Sequence, residues 1–171
     1  MNRAELETVL DNHREWLADG RGKMADLRGA DLRGADLRGA NLSGAKGLLS
    51  AAEWLTKTFE SDSDGLIVYK AFGYFADPPD HWEIELGSVL TETPNPDRCA
   101  TCGSGINFAP IAWIKGHISR DIWRCRLAWI DLADVVVPFN TDGKARCARL
   151  TLIEQLKGAD DEQGGTANSA G

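Results

Sequence analysis

The sequence predicts an α+β chain in two parts: an amphipathic helix with a short five-residue repeat, then a compact mixed or antiparallel sheet domain. Three observations carry this. Apolar residues recur at helical spacing over residues 4–18, a five-residue unit repeats from Ala25, and from Gly65 β-branched and aromatic residues gather in short runs between polar turns. The 171 residues suffice for one domain with a small appendage, and 43% hydrophobic with 26% charged is ordinary globular composition.

The first element is a helix. Leu6, Val9, Leu10, His13, Trp16 and Leu17 form one apolar stripe, and Gly20 and Gly22 follow it as a stop. His13 lies in the stripe and reads as a packed helix residue. Ala25-Asp26-Leu27-Arg28-Gly29 then recurs from Ala30, Ala35 and, as Ala40-Asn41-Leu42-Ser43-Gly44, a fourth time, with a degenerate fifth unit at Ala45. A period of five suits neither helix nor strand and predicts a repeat architecture. Ser50 to Glu53 has the form of a capping box, opening a short helix with Trp54, Leu55 and Phe59. The polar run Ser61 to Gly65 reads as the boundary between residues 1–60 and a second domain over 65–155.

In the second domain, strands are expected over 66–72, 81–86, 122–130, 134–139 and 144–153, a helix within 108–118, and a turn at Asn140 to Gly143. Trp123, Cys125, Leu127 and Trp129 share one face of their strand, with Arg124 and Arg126 on the other. Residues 158–171, rich in Gly and Ala, are expected to be a disordered tail.

The repeat units resemble pentapeptide-repeat proteins. That resemblance implies a right-handed square β-helix of about one coil over 25–49. Leu27, Leu32, Leu37 and Leu42 would point inward and Arg28, Arg33 and Arg38 outward. One coil cannot cover its own ends, so the N-terminal helix would close one and the rest of the chain the other. An end left open would offer a self-association face, and a homodimer is one expectation.

A broader resemblance joins the helix with His13 and Trp16, the repeats, Val68-Tyr69-Lys70-Ala71, the turn from Cys102 to Gly105, Val136-Val137-Pro138, and Lys144-Ala145-Arg146-Cys147. Together these look like small bacteriophage and prophage proteins whose C-terminal domain has no assigned function. The resemblance implies a phage accessory protein in the host cytoplasm. In many such proteins the turn ends in His, where this sequence has Asn107, which argues against a catalytic reading of the turn.

Net charge −7 argues against coating nucleic acid, and the coil is too short to imitate duplex DNA. No apolar run approaches a membrane span, and Met1 to Glu7 has no basic-then-apolar leader, so a soluble cytoplasmic protein with reduced cysteines is expected. The charge is uneven: residues 61–114 hold eight acids against only Lys70 and Arg98, whereas 115–157 are net basic.

Three constellations could carry chemistry. Cys99 and Cys102 have half of a zinc-site spacing, with Cys125 and Cys147 as the other candidates, but those two lie on apolar strand faces, and structural thiols are the expectation. The Gly-rich turn Cys102 to Asn107 could cradle an anion or be a tight turn alone. Lys70, Arg124, Arg126, Lys144 and Arg146 would form a basic sheet face if their strands were neighbours, a seat for phosphates or an acidic partner. Otherwise they would pair with the acids of 61–114. No nucleophile, base and orienter assemble, so no catalytic residue, cofactor or metal is assigned. The expected function is host-protein binding and modulation. The alternative is binding, or enzymatic handling, of a nucleotide-like anion on the basic residues.

Overall fold

The computed structural model describes residues 1–73, 77–118 and 121–156. Helix α1 (Arg3–Asp19) opens on a reciprocal capping box: the Glu5 N–H donates to the Asn2 side chain at 2.9 Å and the Asn2 N–H to the Glu5 carboxylate at 2.8 Å. It ends at Gly20, in the left-handed region, whose N–H donates to the Trp16 carbonyl. Its apolar face, Leu6 with Val9 and Leu10, packs on the repeats. His13 is buried, stacks on Trp16, and accepts the Ala25 N–H on Nδ1 at 3.2 Å.

The five-residue period has a local cause. In each unit the Ala N–H donates back to the carbonyl of the preceding Leu, at 3.0–3.1 Å, closing a β-turn. Gly29, Gly34, Gly39 and Gly44 hold the third turn position at φ 68–79°, which a side chain disfavours. Each Asp carboxylate accepts the N–H of the Arg two residues on and pairs with its guanidinium, as in Asp31–Arg33 at 2.6 Å and Asp36–Arg38 at 2.7 Å. The outward positions therefore neutralise one another.

Four such corners bring the chain round once, and Asp26 pairs parallel with Lys46 four units later. No second turn stacks on this ring among the described residues, so there is no solenoid. The ring is covered by other parts of the chain. Besides α1, the loop at Cys99 accepts the Gly34 N–H at 3.0 Å. Asn140 accepts the Leu32 N–H at 2.8 Å and donates to the Ala30 carbonyl at 3.1 Å. Both docking points lie on the second unit. Leu27 and Leu32 are accordingly buried, while Leu37 and Leu42 are half-buried.

Helix α2 (Ala51–Thr58) follows, but Leu55 and the adjacent Phe59 pack in the core of the sheet half, not on the ring. The polar run expected as a boundary is a hairpin turn: β1 (Glu60–Ser61) pairs antiparallel with β2 (Gly65–Ala71), and the Asp62 carboxylate accepts the N–H groups of Asp64 and Gly65. The main sheet is completed by β3 (Val89–Thr91), β5 (Ile122–Ala128) and β7 (Arg149–Leu156), in the order β1-β2-β5-β7-β3, all antiparallel. A second sheet pairs β4 (Ile106–Phe108) with β6 (Ala145–Cys147), and α3 (Ile111–His117) lies between β4 and β5. Val68, Cys125, Leu127 and Leu152 of the larger sheet meet Ile106, Phe108 and Cys147 of the smaller one in a single core.

Four expectations are corrected. Residues 81–86 are a turn and loop, because the Trp82 N–H closes a turn on the Pro79 carbonyl at 3.0 Å and its indole donates to Thr91 at 2.9 Å. The in-out alternation holds only as far as Glu85 (Ile84 half-buried, Glu83 and Glu85 exposed) and fails at Leu86, which is 72% exposed; the pairing strand lies later, at β3. The strand expected to run to Ile130 stops at Ala128 and turns into a 3₁₀ helix over Trp129–Asp134. The strand over 134–139 reduces to one bridge, Val136 to Arg146, ahead of Pro138. The strand over 144–153 is broken at Ala148 into β6 and β7, which serve different sheets. The tail expected over 158–171 lies outside the described residues.

Candidate functional site

The register between β2 and β5 decides where the basic residues point. Lys70 sits opposite Trp123 and Val68 opposite Cys125, on the core face; Ile67 sits opposite Arg126 and Tyr69 opposite Arg124, on the other. Lys70 therefore lies on the core side of the sheet, beyond Val68, and enters a cleft of about 590 Å³. The cleft is walled by Phe72, Trp82 and Trp113, with the Cys102 to Gly105 turn, Asn107 and Lys144 around it. Asp77 and Glu92 also line it.

The Lys70 ammonium lies 5.0 Å from the Phe72 ring centre and 5.3 Å from that of Trp82. Its hydrogen-bond acceptor among the described residues is the Asn107 carbonyl, at 3.3 Å, and none of their carboxylates reaches it. Burial holds its proton affinity below the ordinary lysine range, against opposing contributions from Cys125 and Cys147. Lys144 lies over the Trp113 ring at 5.1 Å, 3.4 Å from Asp142 and 3.5 Å from the exposed Cys102 sulfur. Trp113 is itself fixed by stacking on His117 at 4.1 Å.

Two glycines make these approaches feasible. A Cβ on Gly143 (φ 118°) would stand 2.6 Å from Trp113, and one on Gly105 (φ 105°) would stand 2.8 Å from Pro94. The turn from Cys102 to Asn107, expected either to cradle an anion or to be a tight turn alone, forms one rim of the cleft. The Asn107 amide ties it down by donating to the Gly103 and Gly105 carbonyls, each at 3.2 Å.

The structure brings together two of the five expected binding residues, Lys70 and Lys144. Arg124 and Arg126 lie on the opposite face of the sheet, with Arg124 3.6 Å from Glu154, and Arg126 2.5 Å from Asp62 and 3.8 Å from Asp64. Arg146 is 1% exposed and donates to three backbone carbonyls: Asn95 at 2.7 Å, Asp97 at 2.5 Å and Ala100 at 3.0 Å. It organises the 95–100 loop. The four-cation sheet face is not formed, because β6 pairs with β4 and not with β5.

The cysteines are also dispersed. Cys99 belongs to the ring core, Cys125 and Cys147 to the sheet core, and the described residues hold no group of three metal-binding side chains. Burial pushes the Cys125 and Cys147 thiols up to about 12, so both are neutral at physiological pH. The aromatic walls escaped the sequence reading. The sequence pattern puts Trp82 on a strand, and it gives the helix within 108–118, which carries Trp113, no partner. The proline pair Pro78-Pro79 ahead of Trp82 was the available signal for a loop that folds back.

Comparison with known proteins is decisive for one segment only. A family model described as "Pentapeptide repeats (8 copies)" matches residues 25–46, the ring. The chain carries pentapeptide repeats. No curated protein and no solved structure matches it. The repeat segment reaches the sheet half through Cys99 and Asn140, and the cleft lies wholly outside it. No helix among the described residues is long and apolar enough to cross a membrane.

Proposed function

We propose that the Lys70 cleft binds a small planar molecule carrying an acidic group, of the nucleotide-like class. The observation that supports this reading is the Lys70 ammonium itself. It is enclosed by aromatic rings and given one carbonyl, where a lysine has three donors to satisfy. A phosphate or carboxylate would supply the missing partner, Phe72, Trp82 and Trp113 would stack on a ring, and Lys144 would meet the ligand's charge. The pentapeptide ring is read as a single β-helical coil that serves as a plinth for the loops at Cys99 and Asn140.

The test is thermal denaturation against a panel of nucleotides. A ligand at a hundred times its Kd stabilises by about 2.7 kcal/mol, or roughly 5–10 °C for a chain of this size. Lys70→Met, which keeps an unbranched apolar stem and removes the ammonium, is expected to fold and to lose that shift. A shift that survives both Lys70→Met and Lys144→Met would refute the assignment, as would a panel with no stabilising member.

A second reading, a phage-encoded protein that binds a host protein, is favoured by a separate observation. Asp77, Asp80, Glu83, Glu85 and Asp97 are exposed, and none forms an ion pair among the described residues. Reversing these charges would weaken capture of a host partner, and capture indifferent to them would remove that reading.

A further inference from the structure

We infer that Lys70 is a reactive amine able to capture small aldehydes or ketones in the cleft as a Schiff base. The inference rests on the cleft being open to small molecules, but not on the ligand being acidic. Four features of its setting distinguish Lys70. It emerges from the core face of β2, in line with Leu66 and Val68, so the chain to Nζ passes through apolar surroundings. Phe72 and Trp82 shield the amine from water. No described carboxylate holds it as a cation, in contrast to Lys57, 2.6 Å from Glu53, and Lys144, 3.4 Å from Asp142. The cleft also gives a substrate room to reach Nζ.

A desolvated lysine without a counter-ion keeps a larger share of neutral, nucleophilic amine. The titratable groups facing Lys70 do not reverse this. Cys125 of β5 and Cys147 of β6 are neutral thiols, and Lys144, Cys102, Asp77 and Glu92 line the cleft without pairing with it. In the capture step the nitrogen lone pair bonds to the carbonyl carbon and the carbonyl π pair moves to oxygen. The two protons of the neutral amine leave with that oxygen as water, and a C=N bond remains. The carbonyl compound is the only co-reactant.

The experiment uses the full chain with a neutral aromatic aldehyde, 4-methoxybenzaldehyde, trapped by cyanoborohydride and mapped by peptide mass spectrometry. Lys70 is expected to be labelled about tenfold faster than the exposed Lys115, and its labelling rate should begin to rise with pH at a lower pH than that of Lys115. Lys70→Arg should abolish that label and leave Lys115 unchanged. Labelling of Lys70 no faster than Lys115 in the folded protein would overturn the inference. If nucleotides still stabilise the protein in that case, the binding reading stands alone. If Lys70 labels fast and no nucleotide stabilises, the inference stands and the acidic-ligand reading falls.

Discussion

Replacing Arg146 with Met removes a guanidinium that three backbone carbonyls of the 95–100 loop use as their common donor. Hydrogen bonds from a charged group contribute roughly 1.5–3 kcal/mol each, and burial of the guanidinium opposes part of that sum. Burial without a carboxylate partner also depresses the Arg146 pKa, so the buried cation carries a cost that Met does not. The balance is a loss of about 3–5 kcal/mol, in line with breaking one side of a buried charged network. With a urea slope of about 1–3 kcal/mol per molar, the unfolding midpoint should fall by roughly 1–5 M. Arg146→Lys should recover only part, because an ammonium cannot reach three divergent carbonyls with a planar fork. Two-state urea denaturation followed by tryptophan fluorescence gives the number. A loss under about 1 kcal/mol, accompanied by loss of ligand binding, would refute this reasoning and return Arg146 to the list of ligand contacts.

Other consequences are measurable in the same way. Leu27→Ala in the buried part of the ring should cost about 3 kcal/mol or more and Leu42→Ala, half-buried, less than half of that; equal losses would mean that α1 and the Asn140 loop do not cover the ring unevenly. Gly143→Ala forces a Cβ onto Trp113 at a positive φ and should cost roughly 1–3 kcal/mol, while Gly39→Ala, with open space around it, should cost only its φ strain of about 1 kcal/mol. The Asp26 and Asp31 carboxyls, held down to about 2 by the guanidiniums of Arg28 and Arg33, have folded pKa values below their unfolded ones. Their contribution is therefore present above about pH 4 and lost as pH falls from there toward 2, and carboxyl NMR titrations of the repeats should show midpoints well under 3. Midpoints near 4 would mean the Asp–Arg pairs do not form in solution.

The elements with a strong local cause were legible in the sequence. The α1 stripe and its Gly stop, the ring's period of five, the β2 and β5 cores and the α2 start all arise from residues close in the chain. What escaped was long-range pairing. The sequence does not show that β6 leaves for a second sheet, and that single fact separates Arg146 from Arg124 and Arg126. Nor does it show that Trp82 folds back over Thr91 to face Lys70, since the alternation around it fits a strand equally well. The Ser61 to Gly65 run reads as a polar break, yet the sequence does not show that the Asp62 carboxylate, which closes it into a hairpin, also pairs with Arg126, 64 residues further on. Only Lys70 and Lys144 of the expected binding set reached one cleft, because their neighbours, not their charge pattern, place them there.

The most direct test of the cleft is an NMR titration of the indole N–H signals with the best-stabilising nucleotide, each signal assigned by Trp→Phe substitution. Trp82 and Trp113 line the cleft, whereas Trp54, on α2, packs against the sheet core beside Phe59 and Trp129 donates to Ser63 near Arg126. The account predicts saturable shifts at Trp82 and Trp113 with Trp54 and Trp129 unmoved. Shifts confined to Trp129 would place the ligand on the Arg124–Arg126 face and contradict it.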